Sequence, residues 1–352
     1  MNLRLRRAGL PIAVSAVVAA VAVTGTILAN GTAGAETVPA ADHVAAARAA
    51  AADMRKAMPA LSKSKVRALA ARAATNELDF GDLTGDGKAD LAAIDSSGTM
   101  YVYPGKRLVY SGGTRQSLFG SRIKVGTGWG KFNSLVRHGD FNGDGRQDIL
   151  TRDAKGNLAF YAGTGNSSAM FKKGTAAGTG WGGFSSITGA GDLNGDGKDD
   201  LLGQKTNGEL ALYTGTNNIS KPFSTRGTII GTGWKGDLLT AIGDVSGDGR
   251  TDYFFRNTKG IIRFYTSKSG TMPIGKGEDI IDDAEAGKFF KGIVGPGDLT
   301  SDSKLTTDVG LPALPDVLWQ LKDGTLLIAS PDSDMHDDEV VVGSGWANFR
   351  LF

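Results

Sequence analysis

The sequence contains no cysteine, which excludes a disulfide framework and a lipid anchor attached through a thiol. Histidine is nearly as scarce, with only His43, His138 and His336. The chain has no His-Glu-x-x-His, Gly-x-Ser-x-Gly or Gly-x-x-x-x-Gly-Lys-Ser/Thr motif. His138 occupies a strand position that other parts of the chain fill with apolar residues, and His336 lies in an acidic stretch. We therefore expect no catalysis, with a secreted hydrolase as the least favoured alternative.

Excess charge of either sign is also lacking, because 39 basic and 37 acidic residues leave a net charge of +2. The distribution is uneven: residues 75–352 hold 29 basic and 34 acidic residues, a net charge of −5. A basic face for nucleic acid is not indicated in this region, so we expect no nucleic-acid partner.

Residues 1–35 have the pattern of a secretory signal peptide. Arg4, Arg6 and Arg7 precede an uncharged apolar segment from Leu10 to Leu28, and Ala33-Gly34-Ala35 forms a small-x-small cleavage site. An uncleaved membrane anchor is the alternative, because the apolar segment approaches the roughly 20 residues that span a bilayer. The pattern favours a secreted protein that meets the membrane only through its cleaved signal.

Residues 36–74 form an alanine-rich, basic segment that indicates one or two helices interrupted at Pro59. A solvated linker or pro-segment is the simpler interpretation. The alternative is a docking segment for a partner or an anionic surface.

The most informative motif is a nine-residue loop with oxygen-bearing side chains at positions 1, 3, 5 and 9 and glycine at position 6. Four copies begin at Asp82, Asp140, Asp192 and Asp244, and an incomplete fifth copy begins at Asp298. Crowded carboxylates in a tight turn are typical of a site for Ca²⁺, which accepts six to eight oxygen ligands at about 2.3–2.6 Å. The predicted ligands, with the backbone carbonyl at position 7, are Asp82, Thr84, Asp86, Lys88 and Asp90; Asp140, Asn142, Asp144, Arg146 and Asp148; Asp192, Asn194, Asp196, Lys198 and Asp200; Asp244, Ser246, Asp248, Arg250 and Asp252.

The residues after each loop exclude an EF-hand. Position 12 holds no glutamate, being Ala93, Thr151, Gly203 or Phe255. Each loop leads instead into a short apolar run of strand type. The loop therefore joins two strands, and Asp at position 9 replaces the missing glutamate. The fifth copy has an insertion from Ser303 to Pro315, which makes calcium binding there doubtful.

The loops recur at spacings of 58, 52, 52 and 54 residues, which is the range of β-propeller blades with about four strands each. Residues 75–352 are thus predicted to form an all-β propeller of five blades with four antiparallel strands per blade. We expect an inner strand at 76–80 in the first blade. The final residues, Phe349 to Phe352, are expected to pack against that blade and latch the ring.

A Gly-Thr-Gly-Trp or Gly-Ser-Gly-Trp corner ends four of the repeats, at Trp129, Trp181, Trp234 and Trp346. One interpretation packs each indole between neighbouring blades. The other places some of the rings in a groove, where they would stack on sugar and make these four tryptophans the candidate ligand residues.

The loop and the strand after it resemble the FG-GAP/VCBS repeat of integrin-type propellers. The corner is similar to that of tachylectin-like five-bladed lectin propellers. The resemblance covers about residues 76–352 and implies Ca²⁺ at each intact loop, about four sites in all. It favours a secreted binding or adhesion module for glycans or a cell-surface protein. The alternative is the recognition subunit of a larger secreted complex that docks through residues 36–74.

Overall fold

The computed structural model describes residues 4–7, 10–13, 81–106, 118–246, 248–267, 274, 277–281, 289–299, 315–329 and 341–352. The alanine-rich segment 36–74, the predicted strand at 76–80, His43 and His336 lie outside the described residues. At the start of the chain, β1 (Arg4–Arg7) pairs with β2 (Leu10–Ala13) in an antiparallel hairpin. Within the described residues, no helix is long and apolar enough to cross a membrane.

Twenty further strands form five antiparallel sheets of four strands each, which confirms the predicted five-bladed β-propeller. The first blade contains β3 (Asp90–Ile94), β4 (Met100–Pro104), β5 (Ile123–Gly126) and, from the end of the chain, β22 (Arg350–Leu351). The second blade contains β6 (Phe132–Val136), β7 (Ile149–Asp153), β8 (Leu158–Tyr161) and β9 (Thr175–Gly178). The third contains β10 (Phe184–Gly191), β11 (Asp200–Lys205), β12 (Leu210–Tyr213) and β13 (Thr228–Gly231). The fourth contains β14 (Gly236–Gly243), β15 (Asp252–Asn257), β16 (Ile262–Tyr265) and β17 (Glu278–Ile281). The fifth contains β18 (Phe290–Gly297), β19 (Asp316–Leu321), β20 (Leu326–Ala329) and β21 (Val341–Gly343).

The second strand of each blade is covered by neighbouring blades on both faces. All five residues of β3 and all six of β19 are buried, so these strands carry continuous apolar runs rather than an alternating pattern. The buried clusters join residues of adjacent blades: Phe254 of the fourth blade, for example, packs on Trp319 of the fifth with ring centroids 5.0 Å apart. The core of the propeller is therefore divided among the interfaces between blades.

The end of the chain closes the ring. In β22, Arg350 pairs with Ile94 and Leu351 pairs with Ala93. Phe352 is buried, and its N–H donates to the Ala92 carbonyl at 3.2 Å. The predicted latch is confirmed. Since β22 fills the position beside β3 that inner strands fill in the other blades, the first blade is completed from the far end of the chain. The prediction that residues 76–80 supply this inner strand is therefore wrong.

Arg137, which follows β6 of the second blade, hydrogen-bonds to the segments that close the ring. Its guanidinium donates to the carbonyls of Asp90 at 3.0 Å, Gly81 at 3.1 Å, Pro296 at 3.2 Å and Phe352 at 3.2 Å. Only 3% of the residue is exposed. One buried side chain thus bonds to backbone groups of the first blade, the fifth blade and the closing strand.

Candidate metal loops and interblade clefts

Position 1 of each loop organises the turn by accepting N–H groups from inside it. In the first loop, Asp82 Oδ1 accepts from Gly85 at 2.7 Å and Asp82 Oδ2 accepts from Gly87 at 2.8 Å. Asp140 and Asp192 make the equivalent pairs of bonds in the next two loops. Gly85 and Gly87 have φ angles of 80° and 76°, a conformation that glycine adopts at no steric cost.

Position 9 ties each loop to its own blade. Asp90 Oδ2 accepts from the N–H groups of Leu83 and Thr84 at 2.9 Å, while its Oδ1 accepts from Gly105 at 3.1 Å. The other three loops repeat this double attachment through Asp148, Asp200 and Asp252, each fully buried. In the fifth blade Asp316 accepts from Leu299 at 2.7 Å, so it takes the role of position 9 despite the insertion.

Burial of these carboxyl groups raises their pKa values strongly. Desolvation raises the pKa of Asp90 and Asp200 to about 6 and that of Asp148 to about 7. Asp140 and Asp144 contribute to the shift at Asp148 by charge repulsion. Asp252, which is the most buried, has a pKa well above its usual range for the same reasons, with Asp244 as the repelling neighbour.

The donor chemistry of the loops fits a hard cation such as Ca²⁺. Every side chain at positions 1, 3, 5 and 9 offers oxygen, and the neighbouring carboxylates repel one another. The hydroxyl of Ser246, at position 3 of the fourth loop, is buried; it lies near Asp252 and lowers its pKa, but meets no partner with good hydrogen-bond geometry. Among the described residues, however, no three acidic or histidine side chains form a group that could hold a metal.

The first two loops also touch the next blade. A Cβ at Gly85 would lie only 2.0 Å from the Gly165 carbonyl oxygen, in the connection between β8 and β9. In the second loop, a Cβ at Gly143 would lie 2.6 Å from Nδ2 of Asn217 in the third blade. Asp199 Oδ2 accepts from the Asp140 N–H at 2.5 Å, which links the second and third loops directly.

The four candidate tryptophans lie between blades, with 6–9% of each residue exposed. Each ring packs on the tyrosine that ends the third strand of the next blade, with centroids 4.6–4.9 Å apart: Trp129 on Tyr161, Trp181 on Tyr213, Trp234 on Tyr265 and Trp346 on Tyr103. The backbone N–H of each tryptophan donates to a turn glycine of the preceding blade. The interpretation that packs the indoles between blades describes this arrangement, and little ring surface remains for stacking.

One corner nevertheless borders a cleft. A space of about 190 Å³ lies between β5 of the first blade and the connection between β8 and β9 of the second. We call it the first cleft; it is lined by Lys124, Val125, Trp129, Tyr161 and residues 167–173. Trp129 is therefore a candidate ligand residue that borders an open surface feature.

Buried side chains also donate hydrogen bonds to the backbone of the Gly-x-Gly-Trp corners and of the segments that follow them. The repeat pattern alone does not reveal these contacts. Gln204 Nε2 donates to the carbonyls of Trp234 at 2.7 Å and Gly236 at 3.1 Å. Arg152, Arg256 and Gln320 donate to corner carbonyls from the equivalent place in their blades. The signal in the sequence is an arginine or glutamine four residues after the position-9 aspartate, inside an otherwise apolar strand. The first blade has Ile94 there, and Arg350 donates to the Phe132 carbonyl instead, at 2.7 Å.

Comparison with known families identifies part of this architecture. A family model described as FG-GAP-like repeat matches residues 140–203 and 192–255. Residues 140–255 are therefore similar to FG-GAP-like repeats. Each match begins at the first aspartate of a loop and ends in the second strand of the next blade, so the matched units coincide with the loop-to-loop period of the propeller. None of the curated proteins compared with the chain matches it.

Three solved structures illustrate what this chain is similar to. One is BBS1N in complex with ARL6DN, at 10% identity and a TM-score of 0.31, covering 73% of this chain and 64% of that one. Another is AofleA from Arthrobotrys oligospora, at 11% identity and a TM-score of 0.39, covering 76% and 72%. The Dos1 propeller has 9% identity and a TM-score of 0.31, covering 69% and 53%. The match spans less than two thirds of the length of BBS1N.

Proposed function

We propose that this protein is a secreted, calcium-binding β-propeller that acts as a binding or adhesion module for glycans or a cell-surface partner. A propeller with FG-GAP-like repeats is a general binding module, and the glycan, the calcium and the export are the parts that this proposal adds. It assigns no catalysis to the chain. His138 lies two residues after the end of β6, with a φ of 71°, and not in the predicted strand; it is 6% exposed, and its pKa is held well below its usual value by burial and by Arg137.

The observation that carries the proposal is the first cleft. Its lining includes an aromatic pair, Trp129 and Tyr161, and two serines, Ser167 and Ser168. Ligand sites combine a concave, partly aromatic wall with a few polar groups that fix orientation. At about 190 Å³, the cleft matches one sugar unit of a larger glycan better than an extended apolar ligand.

Calcium is proposed for the four intact loops on the basis of their donor chemistry. The side-chain oxygens at positions 1, 3, 5 and 9 and the carbonyl at position 7 would hold the ion. Its charge would offset the repulsion that raises the pKa of Asp148. The first loop contacts Gly165 in the connection between β8 and β9, and this connection also lines the first cleft. An ion bound in the loop would therefore stabilise one side of the cleft.

A glycan array probed with the full chain, in calcium and then in a chelator, tests the proposal. We expect a defined set of glycans to be retained in calcium and lost in the chelator. A folded chain that retains no glycan in either buffer would contradict glycan recognition, and retention unaffected by the chelator would contradict the calcium dependence.

Export can be tested separately by mass spectrometry of the protein recovered from the culture medium. We expect the mature chain to begin at Glu36, directly after the Ala33-Gly34-Ala35 site. The alternative role as a subunit of a larger secreted complex requires co-purifying partners that disappear when residues 36–74 are deleted.

A further inference from the structure

The first cleft differs from a neutral sugar site in its charge. Three exposed lysines line it: Lys124 on β5, and Lys172 and Lys173 at the end of the connection between β8 and β9. No acidic residue lines the cleft. Among the described residues none of the three lysines forms an ion pair, since the salt bridges there involve other side chains. The cleft therefore presents three cationic groups that no described carboxylate neutralises.

The next interface between blades provides an internal comparison. After the same bulge, Lys124 pairs with Tyr101 in the first blade and Ala176 pairs with Ala159 in the second. After the bridges Gly163–Phe171 and Gly215–Phe223, the two residues Lys172 and Lys173 correspond to the three residues Ser224, Thr225 and Arg226, because Gly174 and Gly227 lie against equivalent tyrosine rings.

At this second interface, Ala176 replaces Lys124, Arg226 precedes Gly227 as Lys173 precedes Gly174, and Lys221 corresponds to Ala169. The corner with its Trp181–Tyr213 pair is the same. The first cleft thus has three basic residues where the second interface has two, and Lys124 is the one whose counterpart is uncharged.

We propose that the first cleft binds an anionic saccharide, whose carboxylate or sulfate group is held by Lys124, Lys172 and Lys173. Ammonium groups bind such anions through charge-assisted hydrogen bonds, which are stronger than those between neutral groups. The serine hydroxyls and the edges of Trp129 and Tyr161 would contact the sugar ring. This inference rests on the proposed glycan-binding function and narrows it to one cleft and one ligand class.

Calorimetric titration of the full chain with two matched pairs of sugars tests the inference. The first pair is a sulfated disaccharide and its desulfated form, and the second is sialyllactose and lactose, so the two pairs distinguish sulfate from carboxylate. We expect the charged member of at least one pair to bind about tenfold or more tightly than its neutral member, as expected for charge-assisted contacts.

Two triple variants localise the site. Lys124→Ala/Lys172→Ala/Lys173→Ala removes the lysines of the cleft, and Lys155→Ala/Lys235→Ala/Lys259→Ala removes three exposed lysines elsewhere with the same change in net charge. We expect the first variant to lose about tenfold or more in affinity for the charged sugar and the second to stay within about twofold.

Three results would overturn the inference. Equal binding of charged and neutral sugars would place a neutral sugar site on the chain and leave the proposed function intact. Equal loss in both triple variants, or displacement of the sugar by a short DNA oligonucleotide of the same charge, would reduce the effect to non-selective attraction of anions. If neither member of either pair binds, the inference fails, and the glycan array decides separately on the proposed function.

Discussion

The aspartate at position 9 of each loop is buried, and its carboxyl group can be protonated or ionised. Its two oxygens hold the loop and a segment 15 residues further on, as Asp148 does with Phe141 and Gly163. Without a cation, burial and the neighbouring carboxylates favour the protonated form and raise the pKa of Asp148 to about 7. A bound cation would favour the ionised form instead. The protonation state of this residue should therefore report on metal binding.

We predict that pH changes the stability of the metal-free chain between pH 8 and 6.5. A carboxyl group whose pKa is raised on folding binds more protons in the folded state, so its ionisation opposes folding, and stability rises as pH falls through about 7 at Asp148. Thermal unfolding in chelator should give a higher melting temperature at pH 6.5 than at pH 8.

Calcium should weaken or reverse this trend, because ligand carboxylates must be ionised. Below pH 6.5, His138 acts in the opposite direction, since its pKa is lowered by burial and its protonation favours the unfolded chain. A melting temperature that does not change with pH in chelator would contradict the assignment of raised pKa values, and an unchanged melting temperature on adding calcium would contradict the metal proposal.

The buried donors that hold the corners should contribute measurably to stability. Replacing Gln204 by alanine leaves the carbonyls of Trp234 and Gly236 without a donor, at a cost of about 1–3 kcal/mol. Lys205→Ala is the control, because its pair with Glu209 is screened by solvent and should contribute little to stability. Denaturant titration compares the two variants, and equal losses would mean that the corner contact is unimportant.

At the scale of elements, the loop of one blade and the β8–β9 connection of the next form a single contact surface. Gly85 and Gly87 both have positive φ, but only Gly85 has a backbone neighbour in the next blade. A side chain at either position strains the turn, and at Gly85 it also collides with the Gly165 carbonyl. Substitutions at the two glycines therefore distinguish the cost of strain within a loop from the cost of a collision between blades.

We predict that Gly85→Ala destabilises the chain by several kcal/mol, more than Gly87→Ala, which should cost about 1–2 kcal/mol for the backbone conformation alone. Gly85→Ala should also weaken sugar binding, because Gly165 belongs to the connection that lines the first cleft. Calorimetry and thermal unfolding measure both effects. Equal effects of the two substitutions would show that the contact between blades does not couple the first loop to the first cleft.

Elements with a repeating signal were predictable from the sequence. The strands after each loop, such as Ile149–Asp153, arise from apolar runs that begin at the position-9 aspartate. The contacts of Arg137 were not predictable, because its four carbonyl partners are spread over Gly81, Asp90, Pro296 and Phe352 and depend on ring closure. The first cleft was not predictable either, since it forms only where two blades meet.

On the scale of the whole molecule, stability depends on a closed ring. We predict that deleting residues 347–352 lowers the melting temperature by several degrees or more, because the deletion removes β22, the buried Leu351 and Phe352, and one partner of Arg137. Asn348→Ala, an exposed change in the same segment, is the control and should have little effect. An unchanged melting temperature in the truncated chain would contradict the role of the latch.

Completion of the first blade by β22 also determines when folding can finish. Arg137 and Phe352 are 215 residues apart in sequence, so the strand that seals the ring is synthesised long after the strands it joins. Until it arrives, the first blade presents an unpaired edge, and such edges can pair with other chains. The intermediate with an open ring is therefore the one most exposed to pairing with a second copy of the chain.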